Sequence, residues 1–196
     1  MRWILMLLPE IAAGVLLLIP LLGLYQRLFL HSWRRTALYL AFSAYLVAVL
    51  CFVGFPNIRY LCFDVNLNLI PFVGMADSIR NTLLNVLLFI PLGFLLPLLW
   101  ERYRRLNNTL VFAFSATLFI ELSQLLTYRA TDVDDLLTNV IGGLFGYLLA
   151  RALTKGFTKH MGDSNPEAHL VILCGSVLFV MFFLQPFLYP FFVSLL

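Results

Sequence analysis

The sequence predicts an all-α membrane protein that crosses the bilayer six times and keeps both termini outside. Three observations predict it. Hydrophobic residues make up 62% of the 196 and charged residues only 12%, with a mean hydropathy of +0.94. Soluble domains carry about a quarter charged residues, so a soluble globular fold is excluded. The apolar residues also come in continuous runs of about 20, the length of a spanning helix, without the alternation of barrel strands. Finally, nine of the thirteen Lys and Arg residues fall in the loops after the first, third and fifth runs. The positive-inside rule assigns those loops to the cytoplasm. A net charge of +3 is too small to argue for nucleic acid, so the partner that composition implies is the lipid bilayer.

The first span is expected over residues 3–25; it has no cationic n-region or small-residue cleavage site and reads as a retained helix. Glu10 lies inside it, after Pro9. A loop with Arg27, Arg34 and Arg35 leads to a second span, 36–55, closed by the turn signal Pro56-Asn57. Residues 58–81 are less hydrophobic and broken by Pro71 and Gly74, which predicts an interfacial or re-entrant loop. The third span, 82–100, has Asn85 near its start and Pro91 inside, where a lost backbone donor predicts a kink. After Arg102, Arg104 and Arg105 comes the fourth span, 109–127, with Glu121 and Gln124 in its last third. An acidic loop, 128–134, opens the fifth span, 135–153, which carries Gly142, Gly143 and Gly146. Small residues of this kind let helix backbones approach closely. Arg151, Lys155 and Lys159 mark the next loop, and 169–191 is the sixth span, interrupted by Gln185, Pro186 and Pro190. Cys51, Cys62 and Cys174 show no CxxC spacing and read as free thiols, with a Cys51–Cys62 bridge in an outer loop as the minor alternative, and the three histidines read as interfacial.

The polar residues of 121–146 stand out because an ionisable side chain at bilayer depth costs at least about 2.5 kcal/mol and marks a functional candidate. Asp132, Asp135, Asn139, Gly143 and Gly146 fall at i, i+3, i+7, i+11 and i+14, one stripe of a helix. Glu121 and Gln124 share a face of the preceding helix, and the two faces are expected to meet. With the basic loops cytoplasmic, Asn85, Glu121, Gln124, Asp132, Asp135, Asn139 and Glu10 all fall in the outer half of the bilayer. This predicts a polar site facing the outer leaflet.

Several roles are open to these side chains. Asp132, Asp135 and Asn139, joined by Asp134, could supply oxygen ligands to Mg²⁺ or Ca²⁺, or the acids could cap the fifth span. Glu121 could pair with Arg129 and lock two helices, or stay protonated and serve as an acid/base. Arg129 could equally clamp a phosphate or carboxylate. Asn85 suits an interhelical hydrogen bond, and Glu10 could neutralise an Arg or line the same site. No Ser-His-Asp or Cys-His set, P-loop or zinc motif is present in the sequence.

At these residues the sequence resembles the VanZ-like family of bacterial membrane proteins. The resemblance rests on NLIPF (68–72), NVLLFIPLGF (85–94), ELSQ (121–124), Arg129, Asp132 and DLLTNVIGGLFGY (135–147). It divides the chain into two N-terminal spans (1–65), a VanZ-like core (66–151) and a basic loop with a last span (152–196). It implies a multi-pass protein of the bacterial plasma membrane linked to glycopeptide (teicoplanin) resistance. The expected action is binding or modifying a cell-envelope component, such as a lipid-linked cell-wall precursor or an anionic lipid of the outer leaflet. Two further readings stand beside it. One is a membrane-embedded hydrolase or transferase with Glu121, Arg129, Asp132 and Asp135 as its machinery. The other is an ion-coupled transporter, which the lack of a midplane site between related repeats disfavours.

Overall fold

The computed structural model describes residues 2–63, 67–68, 79–127, 131–154 and 166–194. The helices are α1 (Arg2–Tyr25), α2 (Trp33–Val53), α3 (Ile79–Leu99), α4 (Leu106–Gln124), α5 (Val133–Leu153), α6 (Glu167–Phe179) and α7 (Gln185–Val193). A π-helical turn, Gln26–Leu30, extends α1, and another, Val180–Leu184, joins α6 to α7 into one continuous rod. Among the described residues six helical segments are therefore long and apolar enough to cross a membrane, and the protein is a multi-pass, all-α membrane protein. The sixth is one 27-residue run from Glu167 to Val193, uninterrupted by its prolines. Of the expected loop 58–81, residues 58–60 form a turn, and Ile79 onward already belongs to α3. Residues 64–66 and 69–78 lie outside the described residues.

The chain divides into two compact units. In the first, residues 1–62 and 168–196, the core joins Leu18 of α1, Val47, Leu50 and Cys51 of α2, and Val177, Val180 and Met181 of the sixth segment. Gly14 is part of this fit, because a Cβ there would lie 2.8 Å from Val47. At one end of the unit the Tyr25 hydroxyl hydrogen-bonds Nδ1 of His169. At the other, prolines explain the local structure. Pro186 and Pro190 have no N–H to offer the carbonyls one turn earlier, at Phe182 and Pro186. The turn after α2 takes both acceptors: Ile58 N–H donates to Phe182 O at 3.1 Å, and Arg59 Nη1 donates to Pro186 O at 3.1 Å. A helix can keep prolines at membrane depth when neighbouring groups satisfy the carbonyls in this way. All three cysteines are free thiols.

The second unit, residues 63–167, is built on α3, α4 and α5. Its most extensive packing is α3 on α5, and glycine is the reason. A Cβ at Gly93 would overlap the backbone of Gly143, one at Gly142 the carbonyl of Val86, and one at Gly146 the carbonyl of Ile90. Without a hydrophobic driving force in lipid, such backbone approach supplies the dispersion contacts that hold helices together. Helix α4 is inside-out relative to a soluble helix. Thr109, Ala113, Thr117, Glu121 and Gln124 are buried, at steps of four, four, four and three, while Val111, Phe114, Leu118 and Leu122 are exposed. The exposed apolar stripe suits acyl chains, and the buried stripe is small and polar. Tyr147 Oη and Thr109 Oγ1 donate to the carbonyls of Arg104 and Tyr103, so the segment Glu101–Arg104 is tied to the unit as well as carrying charge.

Candidate functional site

The polar residues gather where α3 begins, α4 ends and α5 begins. The chain enters α5 through Asp132, whose backbone is extended (φ −124°, ψ 128°). Its Oδ1 accepts the Asp134 N–H at 2.9 Å, an N-cap that satisfies one orphan donor of the first turn. Its own N–H donates at 3.0 Å to Oε2 of Glu121. Glu121 is only 3% exposed, so this bond brings a buried carboxylate of α4 to the amino end of α5, where the helix dipole favours negative charge. The extended entry also forms a two-residue parallel ladder, Leu67 beside Thr131 and Asn68 beside Asp132. The first residue of the NLIPF motif is thereby held against the acidic entry to α5.

Two further bonds run between helices. Asn85 Nδ2 of α3 donates to Asp135 Oδ1 at 2.6 Å, a charge-assisted distance. Asn139 Nδ2 of α5 donates to Thr117 Oγ1 of α4 at 2.8 Å. Asn139 is buried, and among the described residues its Oδ1 has no hydrogen-bond partner. Beside it Thr138 returns its hydroxyl to the carbonyls of Asp134 and Asp135, which leaves the Asn139 amide as the polar group turned toward α4. Gln124 is buried one turn beyond Glu121.

The structure thus joins Glu121 to Asp132, Asn85 to Asp135, and Asn139 to α4, as the expectation of meeting faces required. It refines the single stripe on α5. Asp135, Gly142 and Gly146 turn to α3, whereas Asn139 meets Thr117 of α4, and Gly143 is wedged between Gly93 of α3 and Ala113 of α4. The oxygens of Asp132, Asp135 and Asn139 are directed to separate surroundings. Among the described residues no three His, Cys, Asp or Glu side chains are grouped to hold a metal ion. Arg129, and with it the expected pair with Glu121, lies outside the described residues. Glu10 belongs to the first unit, where its side chain interacts with Gln185.

Three members of the cluster escaped sequence reasoning or stood at its margin: Thr117, Thr138 and Asp134, all buried. A signal for Thr117 existed, since it lies four residues before Glu121 and on the same face. Thr138 carried none, because a threonine bonding back to its own helix looks like any other mid-helix threonine.

The VanZ/LLP1 family model matches residues 42–154, which include the whole polar cluster. "Protein VanZ" of Enterococcus faecium is 30% identical over 146 residues, covering 71% of this chain and 86% of that protein. No solved structure gives a significant match. With more than half its length inside the family model and a curated relative aligned across most of both chains, the protein belongs to the VanZ/LLP1 family.

Proposed function

We propose that the protein resides in the bacterial plasma membrane with its basic loops cytoplasmic and both termini outside. On this reading its polar cluster binds a cell-envelope component from the outer leaflet, a lipid-linked wall precursor or an anionic lipid. That binding lowers glycopeptide access and raises teicoplanin resistance. The loop charges support the orientation, which puts the α3 start, the α4 end and the α5 start on the outer side. Glycopeptide susceptibility enters through the family and the similarity to the VanZ protein of Enterococcus faecium.

The observation that carries the reading is the Asn139 amide. A buried acceptor left without a donor costs about 1–3 kcal/mol, and a ligand hydroxyl or amide N–H placed there recovers that cost. Thr117, its partner, is one turn from Glu121, so a bound polar headgroup would meet an amide oxygen and a carboxylate together. The interhelical bond to Thr117 uses only the Nδ2 of Asn139, so helix packing does not account for the acceptor beside it.

The test is teicoplanin susceptibility of cells carrying Asn139→Leu or Glu121→Gln, scored beside the membrane level of each variant. The reading expects wild-type levels with susceptibility raised to that of cells lacking the protein. If level and resistance fall in parallel, the cluster only holds helices together. Mass spectrometry of envelope lipids and wall fragments then separates binding from chemistry, since a hydrolase or transferase alters that profile and a binder does not.

A further inference from the structure

Helix α2 stops at Gly54, whose left-handed backbone (φ 69°, ψ 53°) reverses the chain. The turn that follows is built around Arg59. Its backbone N–H donates to Asn57 Oδ1 at 3.1 Å, and its Nη1 donates to the Pro186 carbonyl that Pro190 leaves open. The guanidinium lies 5.8 Å from the ring centre of Tyr60 and 5.7 Å from that of Phe187. Two aromatic faces and one carbonyl therefore hold the side chain, and among the described residues its other guanidinium N–H donors have no hydrogen-bond partner. Among the described residues no carboxylate pairs with it. Arg59 is exposed, and so are its neighbours Tyr60, Leu61 and Phe187. An apolar and aromatic surface just past a helix end belongs at the level of lipid headgroups.

We propose that Arg59 is a preorganised clamp for the phosphate of an anionic phospholipid. The occupant follows from complementarity. The fork of a guanidinium matches phosphate oxygens in geometry and charge, and the apolar neighbours match the acyl chains attached below them. A freely snorkelling arginine would satisfy the same charge only after losing its side-chain entropy. Here that entropy is already spent by the Pro186 carbonyl and the two rings. The site is in the first unit and is independent of the polar cluster among α3, α4 and α5.

Native mass spectrometry of the full chain, titrated with phosphatidylglycerol and with diacylglycerol of the same acyl chains, tests the clamp. The wild type is expected to retain phosphatidylglycerol and to bind diacylglycerol far more weakly, with any phosphatidylglycerol held at the polar cluster unaffected by changes at Arg59. Arg59→Lys keeps the charge but loses the fork, and should weaken phosphatidylglycerol about tenfold. Pro190→Ala keeps the guanidinium but supplies an N–H that competes for the Pro186 carbonyl, and should weaken it as well. Should Arg59→Lys fail to fold, as read by thermal unfolding, Pro190→Ala decides the question. Arg80→Gln, which removes an exposed arginine of α3, should change nothing. Equal binding of diacylglycerol, an equal loss in Arg80→Gln, or undiminished binding by both Arg59→Lys and Pro190→Ala would overturn the proposal.

Discussion

Asn85 and Asp135 make a short interhelical hydrogen bond, at 2.6 Å, and their energetics follow from that geometry. Side-chain hydrogen bonds between membrane helices average about 0.6 kcal/mol and reach about 1.7, and this one is charge-assisted. A double-mutant cycle of Asn85→Ala and Asp135→Ala, read by unfolding in mixed micelles, should give a coupling of about 1 kcal/mol. Strict additivity would show that the two side chains do not share a bond. Asp132 acts locally as well. Its cap on Asp134 predicts that Asp132→Ala costs about 1 kcal/mol while Asp132→Ser, which keeps a capping oxygen, costs a fraction of that. At this scale the sequence was informative about which residues matter and less about what each touches. The polarity of Glu121 and Asn139 at membrane depth is visible in composition. The commitment of Asn139 to Thr117 is not, because threonine is unremarkable in such a helix.

Helices α3 and α5 approach each other along glycines, and the approach is unforgiving. Gly93→Ala, Gly142→Ala and Gly146→Ala each place a methyl group into facing backbone that has no side-chain rotamer to yield. Overpacking of that kind typically costs 1–3 kcal/mol or more, so each should lower folded protein in the membrane by an order of magnitude or abolish it. Gly175→Ala in α6 meets nothing within 4 Å and should be tolerated, which makes it the control. Folded yield in detergent, measured by size-exclusion chromatography, checks both. The existence and order of all six spanning segments were legible from hydropathy, because a run of about 20 apolar residues has few other uses. The glycine face was legible too, but its partner was not. Spacing says that a backbone can come close, and only tertiary structure says that α3 does so along Gly142 and Gly146. The last span shows the opposite case. Its prolines suggested an interruption, yet the helix continues, because the turn at Ile58 and Arg59 satisfies the carbonyls they release.

The whole molecule is two helical units carried by one chain, and the family match covers the second unit up to Thr154 together with part of α2. The basic loops argue for one orientation by the positive-inside rule, and the account extends them to a sided protein whose polar cluster faces the outer leaflet. A cysteine placed at Asn57, or one in the 155–159 loop, should differ in labelling by a membrane-impermeant maleimide on intact cells, once Cys51, Cys62 and Cys174 are replaced by Ser or Ala. The account expects label at position 57 alone, and label in the 155–159 loop alone would invert it. The central claim is that the cluster around Asn139 receives a ligand. Its most direct measurement is the dissociation constant of the purified protein, in lipid nanodiscs, for a lipid-linked wall precursor and for an anionic lipid, with Asn139→Leu beside the wild type. The account predicts that the wild type binds at least one of them and that Asn139→Leu weakens that binding about tenfold, while its unfolding shifts only by the worth of the lost bond to Thr117, about 0.6 kcal/mol. No binding by the wild type, or equal affinity in the variant, would contradict it.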